Sequence, residues 1–589
     1  MLRILKYIKG KEWLWIIFSL FLIMGQVYLE LELPTYMGNI SAMALSDSPV
    51  VGDIIIEGLK MLSLALGSLI LAIIVGYIFA RLSSRFGARL RFKMFSKTTE
   101  FSMEEINDFS TPSLITRSTN DISQVQMIIS LGAQIVLKAP ILAIWSIYKI
   151  SDAQWQFTAA TVVAIFVISI VLALIIFLAM PRFKRIQKHT DELNKHSREN
   201  LAGLRVIKAY NAERFQKEKI NEVSDNLMND GLFAGRIMSL MGPTMTLVMT
   251  GITLAIYWIG GSLISGVSID PTNPMVGFME RASIYQPMII FSQYAMQVIM
   301  AFMMLVMIFV VMPRAQVSAN RILEVFETKT NIKDGKLSLK EKVSKLEFKN
   351  VSFKYPGSSD LVLENISFTA TKGQIIAIIG ATGAGKSTLI NLIPRFYDVS
   401  DGEILINDIN IKKYIQKDLR TKVGYISQQA FLFSGTIGTN VNYGVEFEKE
   451  IEEALHIAQA SDFVTQLEQR ENARVSQAGK NFSGGQKQRL SIARAIQKES
   501  DILIFDDSFS ALDYKTDRNL RNALKDNIDE NITLIVAQRI GTIKNADLIL
   551  VLDKGEIVGA GSHQELINNN KVYREIALSQ LTEEEINNG

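Results

Sequence analysis

Asp501-Ile-Leu-Ile-Phe-Asp-Asp-Ser-Phe-Ser-Ala-Leu-Asp513 is the stretch on which the fold turns. Its apolar residues run straight into Asp506, a pattern that reads as a strand buried on both faces with a carboxylate at its carboxyl end. Open parallel sheets bind their ligands at that edge. Asp506 therefore predicts a magnesium-nucleotide site, and Asp507, one step beyond, is placed to face an attacking water.

More than a hundred residues earlier, 374–388 read Gln-Ile-Ile-Ala-Ile-Ile-Gly-Ala-Thr-Gly-Ala-Gly-Lys-Ser-Thr, followed by Leu389 and Ile390. This is an apolar strand, a GxxxxGK[ST] loop and a helix start, the context a phosphate loop requires. Gly380, Gly383 and Gly385, with Ala381, Thr382, Ala384 and Thr388 between and after them, let backbone amides close around phosphate oxygens. Lys386 reaches the β and γ phosphates, and Ser387 offers a hydroxyl to Mg²⁺. Asp506 is then the partner carboxylate that holds the metal through water.

The rest of the chain is not uniformly of this kind. Its 589 residues are 48% hydrophobic with a net charge of +3 and no cysteine, and mean hydropathy is +0.19. The hydropathy places part of the chain in a membrane. The small net charge points to no nucleic-acid partner, and the missing thiols exclude disulfides, thiolate zinc sites and cysteine nucleophiles. Apolar stretches at about 13–36, 59–80, 127–149, 158–180, 237–262 and 287–312 each approach the roughly 20 residues of a spanning helix. The first is too long, and lacks the small-residue cleavage site, for a removed leader. Residues 1–12 are basic and amphipathic and predict an interfacial helix.

Arg81, Arg85, Arg89, Arg91, Lys93 and Lys97 follow the second span, and Arg182, Lys184, Arg185 and Lys188 the fourth. The opposite loops carry Asp47, Asp53, Glu57, Asp152 and Asp270, so the positive-inside rule predicts a multi-pass protein of the cell membrane with both termini cytoplasmic. The long gaps after spans two and four lack Gly and Pro clusters and predict helices continuing beyond the bilayer. Lys138, Glu30 and Glu32 are intramembrane charges, which form structural pairs or serve a substrate or gate. The sixth span carries Met288, Met296, Met300, Met303, Met304, Met307 and Met312 with Phe291, Phe302 and Phe309. Such residues suit either an adaptable hydrophobic-substrate surface or plain lipid-facing packing. The spans predict a six-helix transmembrane domain over 1–312, a linker over 313–343 and an α/β nucleotide-binding domain over 344–589.

Residues 481–495, Asn-Phe-Ser-Gly-Gly-Gln-Lys-Gln-Arg-Leu-Ser-Ile-Ala-Arg-Ala, form a glycine turn opening a helix, just before the Asp506 strand. In that position Ser483, Gly484, Gly485 and Gln486 resemble the signature of ATP-binding cassette (ABC) proteins, and with six spans ahead of one cassette the chain resembles an ABC exporter half-transporter. The resemblance implies ATP and Mg²⁺ as cofactors, Tyr355 stacked on adenine, Gln428 as the loop glutamine sensing Mg²⁺, and Ser510 to Asp513 facing a second cassette. It also implies that 113–122 and 199–210 couple the two domains. Two cassettes would sandwich two ATPs, each site joining one P-loop to the other signature, so that this chain needs a second half-transporter.

Hydrolytically competent members of the family have Glu where this chain has Asp507, and His where it has Gln538. An aspartate retreats by roughly 1.5 Å, and misplacement near 1 Å can cost about a hundredfold. An amide cannot carry positive charge toward the transition state. By sequence position His189, His196, His456 and His563 do not replace the missing imidazole. Gln477 stands where many relatives have glutamate. With the signature intact, the combination resembles the degenerate-site subunit of bacterial heterodimeric multidrug exporters, which would expel hydrophobic drugs or other amphiphiles from the cytoplasm or inner leaflet. A lipid or peptide exporter and a nucleotide-gated regulatory channel are the alternatives.

Overall fold

The computed structural model describes residues 3–44, 50–151, 155–267, 274–445, 450–527 and 530–580. Asp47, Asp152 and Asp270 lie outside these residues. The chain divides into two compact units, one of Met1–Lys97 with Pro112–Glu327, the other of Thr98–Thr111 with Thr328–Gly589.

Six helices of the first unit are long and apolar enough to cross a membrane. In chain order the helices are α1 (Gly10–Ala44), α2 (Val51–Thr99), the short α3 (Met103–Phe109) of the second unit, α4 (Thr111–Ile150), α5 (Trp155–Ala202), the short α6 (Leu204–Ala209), α7 (Glu213–Gly266, with a break at Leu240) and α8 (Pro274–Glu327). At 49 and 48 residues, α2 and α5 outrun any bilayer, each reaching about 70 Å at 1.5 Å per residue. Helix α8 carries on to Glu327 before the chain loses regular structure.

The intramembrane charges are paired. Glu30 Oε1 on α1 accepts from Lys138 Nζ on α4 at 2.9 Å, from Gln26 Nε2 at 2.9 Å and from Ser68 Oγ on α2 at 3.2 Å. Lys149 Nζ reaches Glu32 Oε1 at 2.9 Å. Of the sixth-span residues, Met288 and Phe291 are buried while Met300, Met307 and Met312 are exposed. The side chain of Phe309 lies outside those described.

One expectation is corrected. Residues 3–12 are not one continuous helix: Ile4–Tyr7 is a single 3₁₀ turn, and α1 starts at Gly10. Tertiary contacts hold this turn, with Ile4 fully buried, Arg3 bonded to Glu327 at 2.6 Å and Tyr7 edge-on to Phe326. The segment 113–122 lies in the first unit. Its buried Asp121 accepts from Ser318 Oγ at 2.9 Å and pairs with Arg321, and Arg117 bonds Glu324 at 2.6 Å, all on α8 of the same unit. The segment grouped with the cassette is α3, capped by Ser102. Glu105 Oε1 there accepts from the Asn331 amide at 2.9 Å, and Asn107 donates to Tyr397 OH at 3.3 Å.

The second unit is built on a six-stranded sheet of order β12-β11-β3-β10-β9-β6. Its strands are β3 (Ile375–Gly380), β6 (Val423–Ile426), β9 (Ile502–Asp506), β10 (Ile532–Val536), β11 (Leu548–Asp553) and the antiparallel edge β12 (Glu556–Gly561). A four-stranded antiparallel sheet comprises β1 (Lys345–Phe353), β2 (Leu363–Thr371), β4 (Asp401–Ile406) and β5 (Ile409–Asn410), and β7 (Gly435–Thr436) pairs with β8 (Arg474–Val475). Side chains alternate across the pleat. Ile376, Ile378, Ile504 and Leu534 therefore pack with Leu346 and Phe348 of β1, while Ala377, Ile379, Phe505 and Ile535 pack on the other face with Leu490 and Ile492 of helix Gly484–Gln497. The fold is a six-helix transmembrane region followed by an α/β cassette.

Candidate nucleotide site

Register assembles the site. Val536 of β10 lies opposite Asp506 of β9 on one side and Ile378 of β3 on the other. All three strands therefore end at one edge, where Asp507, Gln538 and the loop after Gly380 emerge together. Two features make that loop tight. A side chain at Gly380 would put Cβ 2.1 Å from the Leu552 carbonyl, and Gly385 has φ +97° with Leu363 Cδ2 2.7 Å from where a Cβ would be. Lys386 Nζ donates to the carbonyls of Gly380 and Ala381 at 2.8 and 2.7 Å. Burial lowers its pKa, with Asp507 and Asp506 opposing.

Ser387 Oγ donates to Asp506 Oδ1 at 3.0 Å. A hydroxyl and a carboxylate this close, beside a phosphate loop, are hard oxygen ligands of the kind Mg²⁺ takes when substrate phosphates and water supply the rest. The residues present fit a magnesium nucleotide. Tyr425 OH shares its one proton between Asn391 Oδ1 at 3.0 Å and Asp506 Oδ2 at 3.3 Å. Sequence reading missed Tyr425, although its place on β6, beside β9, is the signal that could have found it.

Asp507 is held from all sides. Its Oδ2 accepts from Gln538 Nε2 at 3.0 Å and from Gln428 Nε2 at 3.2 Å. Its amide donates to the Val536 carbonyl at 2.9 Å, and its own carbonyl accepts from Ser510 Oγ at 2.7 Å. Its φ of +47° is left-handed, a region aspartate tolerates better than most residues. Burial raises the carboxyl pKa of both Asp506 and Asp507, the Ser387 hydroxyl chiefly opposing at the first and the Gln428 amide at the second.

The half-buried Tyr355 bonds Thr388 Oγ1 at 3.0 Å and lies edge-on to Phe353 and Tyr397, beside the phosphate loop. Ser483 caps helix Gly484–Gln497, its backbone amide donating to Gln486 Oε1 at 2.9 Å and its Oγ accepting from the Gln486 amide at 3.3 Å. Asp513 caps helix Tyr514–Asn527 through Thr516, whose amide and hydroxyl hold its carboxyl below the usual range. The histidines are elsewhere: His563 bonds Tyr573 OH at 2.7 Å, His189 faces Glu192 and Asp230 of the first unit, His196 lies on α5, and His456 lies on helix Glu452–Ile457.

The ABC transporter transmembrane region model matches residues 16–280, and the ABC transporter model matches 363–510. An uncharacterized ABC transporter ATP-binding protein of Mycobacterium tuberculosis is 35% identical over 556 residues, 92% of this chain and 93% of the relative. The chain belongs to the ABC transporter family. A further uncharacterized ABC transporter ATP-binding protein, from Bacillus subtilis, is 33% identical over 90% of this ABC transporter and 89% of its own length. The ATP-dependent lipid A-core flippase of Pseudomonas aeruginosa is 30% identical, with 84% and 80% covered. Among solved structures, a bacterial Atm1-family ABC exporter with ATP bound superposes with a TM-score of 0.80 at 21% identity, covering 97% of this chain and 99% of that one. The ABC transporter described here thus has an exporter-type fold and is a multi-pass membrane protein of an ATP-binding family.

Proposed function

We propose that the chain is the degenerate-site half of a heterodimeric ATP-driven exporter. It would alternate between inward- and outward-facing states and expel hydrophobic drugs or other amphiphiles. The observation that carries this reading is the clasp on Asp507. One carboxylate oxygen accepts from the amides of both Gln428 and Gln538, and a neutral amide, though a hydrogen-bond donor, carries no positive charge toward the transition state. A short acid bonded to two amides is a poor base for a water beyond them.

In this reading the loop from Gly380 to Thr388 binds phosphates, Lys386 neutralises them, and Ser387, Asp506 and Gln428 hold Mg²⁺, which when bound offsets phosphate charge during transfer. Tyr355 carries the adenine. Ser483 to Gln486 complete the hydrolytic site on the P-loop of a second half-transporter that has the glutamate and histidine. Leu204–Ala209 presents Leu204 and Val206 to solvent, with Tyr210 beyond it 80% exposed, which suits an apolar plug for that second cassette. Both termini are cytoplasmic, with a transmembrane domain over 1–312, a linker to 343 and the nucleotide domain beyond.

The test is ATPase activity of the purified chain alone and together with a related half carrying Glu and His. Little turnover alone and strong turnover together is the expected result; robust turnover by the lone chain as a homodimer would overturn the heterodimer. A second reading takes lipid as the substrate, favoured by the flippase relatives. Flipping of a labelled lipid in reconstituted vesicles, against uphill movement of a hydrophobic dye, separates the two.

A further inference from the structure

Tyr77, Arg81, Arg85 and Arg89 form one stripe on α2, spaced by four residues. The last of them is used: Arg89 pairs with Glu12 of α1 and donates to the Tyr7 carbonyl at 2.7 Å. The middle two are not. Arg81 reaches only its neighbour Tyr77, OH to Nη1 at 3.2 Å, and among the described residues neither Arg81 nor Arg85 pairs with a carboxylate. Two exposed guanidiniums one turn apart, roughly 6 Å along the axis, repel each other unless an anion lies between them. They line a groove of about 150 Å³ between α1 and α2, together with Trp15, Tyr77 and Glu12. The carboxylate of Glu12 is already bound, by Arg89 and by the Lys9 amide at 2.8 Å, so the groove keeps a positive charge.

The setting selects the anion. Toward the middle of the span the same stripe continues as Ile70, Ile73 and Ile74, and α1 adds Leu14 and Phe18, all exposed apolar side chains of a membrane-spanning helix pair. Trp15 and Tyr77, 53% and 63% exposed, stand where apolar surface gives way to basic, the level at which these rings settle in a bilayer. We propose that this groove binds the phosphate headgroup of an anionic phospholipid, its phosphate between Arg81 and Arg85 and its acyl chains along Ile70, Ile73 and Phe18. A free phosphate would leave the apolar wall unused. The groove's lining residues are distinct from those of the nucleotide site.

The test uses the full-length chain in phosphatidylcholine vesicles containing brominated phosphatidylglycerol or brominated phosphatidylcholine. The readout is fluorescence quenching of Trp15, isolated by subtracting the Trp15→Phe variant. Basic residues near a bilayer favour anionic lipid about fivefold each, so with two of them phosphatidylglycerol should be preferred about twenty-five-fold. Arg81→Gln with Arg85→Gln should erase the preference, and the double Lys variant should keep most of it. Equal quenching by both lipids, an unchanged preference in the Gln variant, or displacement by inorganic phosphate would each overturn the site. Absence of quenching by either lipid would also overturn it, placing a protein surface over the groove. If the Gln variant does not fold, the wild-type comparison of the two lipids decides alone.

Discussion

Replacing Asp507 with Glu separates reach from proton supply at the end of β9. The extra methylene carries the carboxylate roughly 1.5 Å past the amides of Gln428 and Gln538, which now donate to Oδ2 at 3.2 and 3.0 Å. Recovered reach is worth up to about a hundredfold in kcat. Two terms reduce it. Glutamate at φ +47° is less well tolerated, by about 1 kcal/mol, which lowers the share of chains holding the productive backbone conformer, and Gln538 still donates from a neutral amide. An increase of about tenfold for Asp507→Glu, and about a hundredfold when Gln538→His is added, follows from these terms. The assay is single-turnover ATP hydrolysis at this chain's site, in the complex with a second half whose own P-loop lysine has been replaced. Full activity from Asp507→Glu alone would show that the missing imidazole had been overweighted. No gain from the double variant would refute the account of the site.

The other predictions concern the carboxylates, the signature and the membrane pair. Burial raises the Asp506 carboxyl, so the folded chain holds this proton to higher pH than the unfolded chain. Its contribution to stability is then greatest below the ordinary carboxylate range and is lost as pH rises through the raised value. Magnesium needs the carboxylate, so Mg-ATP affinity should have the opposite sign and weaken as pH falls through that window; a Mg²⁺-dependence of nucleotide binding that ignores pH would contradict this. Tyr425→Phe removes the hydroxyl near Asp506 and should weaken Mg-ATP binding about tenfold, near the lower worth of one hydrogen bond to a charge, as measured by calorimetry. Ser483→Ala removes the cap on helix Gly484–Gln497, costing about 1 kcal/mol of stability. It should lower hydrolysis at the partner's P-loop while ATP binding at Lys386 persists, and equal loss of both would point to misfolding. Lys138→Met leaves Glu30 unpaired and should cost about 2 kcal/mol in thermal unfolding, largely restored by adding Glu30→Gln.

Much of this protein was legible because it is written in contiguous residues. The loop 380–388, the Ser483 cap and the run into Asp506 are local backbone geometries, dictated by glycine, a capping hydroxyl and uninterrupted apolar residues. Each therefore reads the same in isolation as in the fold. Six spans follow from length and hydropathy for the same reason. The amphipathic amino-terminal pattern reads as one helix, and only packing against Phe326 and Glu327 holds a separate 3₁₀ turn ahead of α1.

What tertiary structure alone decided is which distant groups share an atom. Gln428 and Gln538 lie 79 and 31 residues from Asp507, and no local pattern says that both amides meet one oxygen. The strand order β3-β10-β9-β6 brings them there, as it brings Tyr425 to Asp506. Pairing of Glu30 with Lys138 across 108 residues, and the lack of any such partner for Arg81 and Arg85 among the described residues, are likewise matters of helix packing. Local chemistry is set by neighbours in the chain, whereas the state of each charge is set by its neighbours in space.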